Sequence, residues 1–227
     1  MKDISKDNNL IFLLISLILL LFSMALIKQT ELPFFDIFNK IIIVLVFILG
    51  VHSQRLDKSW FWAVYFMALV SALLFLSRLF FENTLFADYF HLITFLFFFI
   101  GSFILSFKQI IMSKSVTTNM IVGSVVLYLL LGLIWTIIYL LLMITYPESF
   151  SNVPPLPWRE NFSQISYFSF VTLTTLGYGD VSPQNSIAQF FVYIEAIVGI
   201  FYMAIIVSSL VSARLQSLKL DGEKMEK

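Results

Sequence analysis

Apolar residues along the chain gather into long, nearly charge-free runs separated by short polar breaks. Runs at 10–27, 59–81, 89–107, 119–146 and 186–213 match the roughly 20 residues that an α-helix needs to cross a bilayer. A shorter run occupies 37–52, which makes six predicted spans. Lys2 and Lys6 ahead of the first run give it the look of a secretory signal. That run is long, however, and no small-residue cleavage site follows it cleanly, so it is read as a retained helix.

Composition agrees with the pattern. Hydrophobic residues make up 59% and charged residues 12%, with 26 phenylalanines and no cysteine among 227 residues, and the mean hydropathy is +0.93. These values lie far outside the range of soluble domains and indicate an integral membrane protein. Without cysteine there is no disulfide and no thiolate nucleophile or metal ligand. The formal net charge of zero implies no bulk attraction to nucleic acid.

Lys and Arg concentrate in cytoplasmic loops, which orients the spans. With the N-terminus inside, ten basic residues (Lys2, Lys6, Arg55, Lys58, Lys108, Lys114, Arg214, Lys219, Lys224 and Lys227) face the cytoplasm, against Lys28, Lys40, Arg78 and Arg159 outside. Both termini are therefore expected in the cytoplasm, with six spans in the cell membrane. The loop 147–185 then lies on the outer side.

That loop changes character along its length. "PESFSNVPPLPW" carries prolines at 147, 154, 155 and 157, which forbid a continuous helix and favour stiff, extended chain. "NFSQISYFSFVTL" has neither Pro nor Gly and opens with Asn161 and then Gln164, in the manner of a capping box. It predicts a three-turn helix, too short to cross, that dips in and stops at the glycines of "TLTTLGYGD". Backbone that leaves a helix at membrane depth survives only where protein buries it or it lines a watery path.

"TTLGYGD", residues 174–180, resembles the selectivity-filter signature of the tetrameric potassium-channel family. The resemblance extends over 119–213 and implies an outer helix, turret, pore helix, filter and inner helix. Carbonyls that all face one axis need alternating right- and left-handed backbone, and Gly177 and Gly179 supply positive φ without steric cost. By the resemblance, Thr175, Leu176, Gly177 and Tyr178 would bind K+, with Gly179 completing the filter and Asp180 at its outer mouth. Four copies, a homotetramer in membrane lipid, would stack the oxygen rings that replace an ion's hydration shell. The Tyr178 ring would face away from the pore, toward Tyr167 and Phe168 on the pore helix. The helix's negative end near Leu173 and Thr174 would point toward a cation in the cavity. Thr174, Gly199 as hinge, Ile200 and Met203 would line that cavity, and Val207 and Val211 would form a hydrophobic gate. Leu176 stands where the family more often has Val, which bears on conductance. Val171 stands where some relatives carry a glutamate behind the filter.

Other polar residues extend this picture. Glu195 lies inside the last span, where an ionisable side chain defaults to a paired or functional role; a hydrogen bond to Thr172 or Ser169 is expected to make it a filter support. His91 and His52 sit near opposite membrane surfaces, where a histidine can titrate or be inert. Four spans before a pore resemble the voltage-gated layout, yet the fourth, "DYFHLITFLFFFIGSFILSFKQ", has no arginine and only Lys108 at its inner end. Arg78 lies near the outer end of the third span, where it can snorkel. Steep voltage gating is not expected. The first four spans are expected to be a structural collar, a degenerate sensor, or a lipid or small-ligand site, and "KQIIMSKSVTT" a connector or an interfacial coupling segment.

The expected organisation is an all-α membrane protein with six transmembrane helices and a re-entrant pore helix between spans five and six. A four-helix region covers 1–115, a pore domain 116–213 and a short cytoplasmic tail 214–227, too short for a regulatory domain. Any gating ligand or regulatory protein is unidentified. No paired carboxylates, metal spacing or phosphate loop supports an enzyme, and no second broken helix supports a transporter. K+ is the expected ion and no organic cofactor is implied. A poorly selective cation channel and a non-conducting scaffold or accessory subunit are the alternatives.

Overall fold

The computed structural model describes residues 9–29, 85–111 and 118–208. Five α-helices are found there: α1 (Asn9–Gln29), α2 (Leu85–Ile111), α3 (Thr118–Thr145), α4 (Trp158–Leu173) and α5 (Ser186–Tyr202), the last continuing as a π-helical segment at Met203–Val207. The described part is helical, with one isolated bridge between Phe150 and Pro183. Leu85–Ile111, Ile121–Thr145 and Ser186–Ile205 are long and apolar enough to cross a membrane, and Leu10–Leu26 is a shorter apolar helix. The spans expected at 37–52 and 59–81, with His52 and Arg78, lie outside the described residues, as do most of the connector, Val211 and the tail.

α3 is the hub, since α1, α2, α4 and α5 all pack on it. Its length is set by an unbroken apolar stretch that ends where Tyr146 and Pro147 break the helix. Leu127, Leu130, Leu133, Ile137 and Leu140 are fully buried along its length. Gly123 lies near its start, and a side chain there would meet Ile110 of α2 at 2.8 Å and Leu10 of α1 at 2.9 Å. The first turn of α1, the last turn of α2 and the first turn of α3 thus meet at one end. At the other end the Tyr89 hydroxyl is 3.1 Å from Thr145 Oγ1. α2 therefore runs antiparallel to α3, the sense expected of consecutive helices joined by a short connector.

α4 is 16 residues, about 24 Å at 1.5 Å per residue. It begins earlier than the sequence pattern indicates. Pro157, with φ −52° and ψ 147°, is its N-cap and makes no side-chain capping bond. The capping box at Asn161 and Gln164 does not form, because both side chains are used elsewhere. Asn161 Nδ2 donates to the carbonyls of Pro154 and Leu156 at 2.9 and 3.1 Å, and Gln164 Nε2 to that of Asn152 at 2.7 Å. The proline loop is folded over the helix start and takes those amides. Trp158 ties α4 to α2, its Nε1 donating to Asp88 Oδ1 at 2.8 Å and its ring meeting Phe95 edge-on at 5.9 Å. α5 has a true cap, the Asn185 side chain accepting from the Ala188 N–H at 2.8 Å.

The excursion from 150 to 183 leaves and returns at the same place. Ser151 N–H donates to Ser182 O at 2.9 Å and Gln184 N–H to Ser149 O at 2.8 Å, on either side of the Phe150–Pro183 bridge.

Small residues at membrane helix crossings allow close approach, so Gly123→Leu is expected to force α1 and α2 off α3 and cost about 1–3 kcal/mol as overpacking. Thermal denaturation in detergent should show this loss, partly recovered by adding Leu10→Ala.

Candidate functional site

The site is built on the last turn of α4. Thr174 caps the helix with φ −83° and ψ −1°, its N–H bonded to Phe170 O. The chain then folds back on the helix end: Thr175 N–H reaches Thr172 O at 2.9 Å, and Leu176 and Gly177 N–H share the Val171 carbonyl at 2.9 and 3.4 Å. From there every second residue has positive φ: Thr175 at 60°, Gly177 at 57° and Gly179 at 79°. A side chain at Gly177 or Gly179 would meet nothing within 4 Å, so glycine is required there by dihedral angle and not by space. Thr175 was not foreseen as a third such position. A β-branched residue at positive φ is a rare outlier, of the kind that costs about 1–3 kcal/mol and clusters at functional sites. The alternation that the glycines suggest therefore begins two residues before the first of them. No side-chain signal at a threonine could have given this.

Behind this loop lies a buried polar cluster. Glu195 of α5 is fully buried and accepts from the Tyr139 hydroxyl of α3 and from Ser169 Oγ of α4 at 2.6 Å. Its α4 partner is Ser169 and not Thr172. Ser169 Oγ also lies 2.8 Å from Gly132 O, which Thr136 Oγ1 bonds as well. α4 approaches α3 closely at Gly132, since a side chain there would meet the Phe170 ring at 2.4 Å. One carboxylate thus joins three helices. Tyr139 is the contribution that sequence reasoning missed, since it lies on a different span with nothing in its surroundings to mark it.

The two aromatic residues expected to support the loop, Phe168 and Tyr167, have different surroundings. Phe168 is buried and forms a three-ring cluster with Tyr139 and Phe150, each pair 5.3 Å apart. Tyr178 is 67% exposed and lies within electrostatic reach of Tyr167. The reason for the difference is helical phase: Phe168 shares the α3-facing side of α4 with Ile165, Ser169 and Thr172, all buried. Tyr167, on the other side, is exposed and faces Asp180.

At the base of the loop, Gly199 is not a free glycine. A Cβ there would stand 2.1 Å from the Leu173 carbonyl oxygen, so the residue expected as a hinge is a packing contact. The same carbonyl accepts from the Tyr128 hydroxyl at 3.2 Å. Tyr128 and Tyr202 pack at 5.2 Å, and the Tyr202 hydroxyl donates to Ser124 O at 2.5 Å. The π-helical segment starts at the next residue, Met203. Ile200 and Met203 are exposed on α5, and Thr174 is exposed with its hydroxyl turned back to Phe170 O at 2.6 Å. Val207 closes the π-helical segment.

Substitutions at Gly199, Glu195 and Tyr139 test these contacts. Gly199→Ala gains about 1 kcal/mol of helix propensity but meets an immovable backbone oxygen, so a lowered melting temperature is expected, from about 1–3 kcal/mol of overpacking. A raised one would mean the contact yields. Glu195→Gln keeps an acceptor for Tyr139 and is expected to be tolerated. Glu195→Val strands the buried Tyr139 hydroxyl and should cost about 1–3 kcal/mol, part of which Tyr139→Phe restores in a double-mutant cycle.

Residues 128–215 match a family model described as ion channel. The match covers less than half of the 227-residue chain and runs from within α3, through α4 and the positive-φ loop, to beyond the last described residue. No curated protein and no solved structure matches the chain. The match, together with the apolar helices, supports an ion channel in a membrane and gives no indication of an enzyme.

Proposed function

We propose that the protein is a potassium-selective channel that conducts K+ passively through a pore formed by four copies of the chain, with residues 175–179 as its selectivity filter and 158–173 as a re-entrant pore helix. The observation that carries this reading is the alternation of positive φ at Thr175, Gly177 and Gly179. Such a backbone turns successive carbonyls toward one side, and four of them around an axis make the oxygen rings that substitute for the hydration shell of K+.

Burial supports assembly. Only 17% of the α5 span is enclosed within one chain, against 61% of the α3 span. Ile187, Phe190, Tyr193, Ile197 and Ile200 leave an exposed stripe along α5, beside the exposed loop 174–180. Copies of the chain around the proposed axis would cover part of this surface and leave the rest to line a cavity. A scaffold would have no use for the strained loop. Weak selectivity, the other alternative, separates from this reading only by measurement.

α1 and α2 both pack on α3, which suits a collar around the pore. The basic residue in the last turn of α2 is Lys108, and its one acidic first-turn residue, Asp88, is bonded to Trp158. A helix that moved repeated positive charge through the field would need a different sequence.

The test is ion flux from liposomes holding the purified protein. Potassium is expected to pass and sodium not, with block by barium. Gly177→Ala places a Cβ at φ 57°, about 1–2 kcal/mol of left-handed strain in each copy, and is expected to abolish flux. Equal passage of both ions would overturn the selectivity. A monomer that passes neither would overturn the channel.

A further inference from the structure

The inner end of the 174–180 loop is fastened to α4 through the Val171 carbonyl. Toward its outer end Gly179 takes φ 79° with no atom within 4 Å of where a side chain would stand, so side-chain packing does not hold this part of the loop and the chain beyond Gly179 needs another fixed point. The first fixed point is the peptide between Asp180 and Val181, which is held on both sides. Val181 N–H is bonded by Asp180 Oδ1 at 3.1 Å, and the Asp180 carbonyl accepts from Asn152 Nδ2 at 2.8 Å.

Asn152 is itself fixed. It has φ 57°, which Asn tolerates better than most residues, and its carbonyl accepts from Gln164 Nε2 at 2.7 Å. Its neighbour Ser151 pairs with Ser182 through backbone and hydroxyl. Gln164 belongs to α4, the helix whose other end fastens Leu176 and Gly177. A single helix thus reaches both ends of the loop, directly at the inner end and through Asn152 at the outer.

We propose that Asn152 is a positioning residue of the filter: its amide, seated by Gln164, holds the Asp180 carbonyl and so keeps the Gly179 end of the loop in its ion-binding conformation. This rests on the channel reading above. The two bonds are solvent-exposed within one chain, so each contributes modestly. Glycine at 179 gives the backbone more than one accessible conformation, and a bond of that size is enough to shift the balance between them. A plain staple of the proline loop would use the same bonds but would not alter ion binding.

The test measures thermal stability of the purified full-length protein as K+ replaces Na+, because an ion that binds only the folded assembly stabilises it in proportion to its affinity. Asn152→Gly keeps the positive φ and removes the amide. Asn152→Asp keeps the turn preference but turns the donor into an acceptor, and serves if the glycine variant does not assemble. Ser151→Ala loosens the neighbouring pairing without touching Asp180. The K+ concentration for half-maximal stabilisation is expected to rise about two- to tenfold in both Asn152 variants, the size of one hydrogen bond, and to stay unchanged in Ser151→Ala. Asn152 variants with the wild-type midpoint, or a Ser151→Ala midpoint shifted equally, would overturn the positioning role and leave the channel reading intact. A wild-type protein stabilised no more by K+ than by Na+ would overturn the filter itself, and the role of Asn152 with it.

Discussion

The carbonyl groups of the last α4 turn are what the rest of the structure is arranged around. A helix end leaves its final carbonyls without intrahelical partners, and a buried backbone carbonyl must find one elsewhere. Here Phe170 and Thr172 accept from the two threonine N–H groups that follow the helix, and Val171 from Leu176 and Gly177. Leu173 accepts from a tyrosine hydroxyl on α3. The first three bend the chain back on itself; the fourth anchors the bend to its neighbour. The positive φ values that follow are a conformation that this fold-back can hold and that an unsupported chain would abandon.

Holding such a backbone demands rigidity from behind, and the burial pattern supplies it. Gly132 lets the Phe170 ring lie against α3, the Tyr139–Phe150–Phe168 cluster fills the space above, and Glu195 crosses from α5 to bond both α3 and α4. A buried carboxylate is costly unless its oxygens find donors. Each Glu195 oxygen has a hydroxyl donor, so the group acts as a three-way joint. Val171 occupies the place where the family resemblance puts a glutamate in some relatives. In this chain the carboxylate behind the loop comes instead from α5, and it is aimed at Ser169 of α4.

Much of this was legible in the sequence and some could not be. The apolar runs gave α1, α2 and α3 to within a few residues and the start of α5 at Ser186, because a charge-free stretch has few options; the end expected for α5 at 213 lies outside the described residues. The glycines at 177 and 179 announced their own dihedral angles. Glu195 announced a partner, since a charge in a span needs one, and the choice between Thr172 and Ser169, which share a face of α4 one turn apart, was a matter of height along the helix. The start of α4 was misread because Asn161 and Gln164 were assigned a local role that the folded proline loop overrides. The positive φ of Thr175, the role of Asn152 and the closeness of Gly199 to Leu173 each depend on chain distant in sequence or on a loop conformation that residue type does not encode.

Gly199 shows most clearly how tertiary contact changes the meaning of a residue. Glycine in a helix is read as flexibility because it lacks a side chain and gains backbone freedom. In α5 the missing side chain instead permits contact: the Leu173 oxygen occupies the space a Cβ would need, and three residues later Tyr202 is bonded to Ser124. Bending α5 between 199 and 202 would have to break the seating of the Leu173 carbonyl and the Tyr202 bond together. Directly below, at Met203–Val207, the helix changes to the wider π-turn, a rare geometry with poorer backbone packing that tends to occur at functional positions. The part of α5 up to Tyr202 is thereby made continuous with the α4 support.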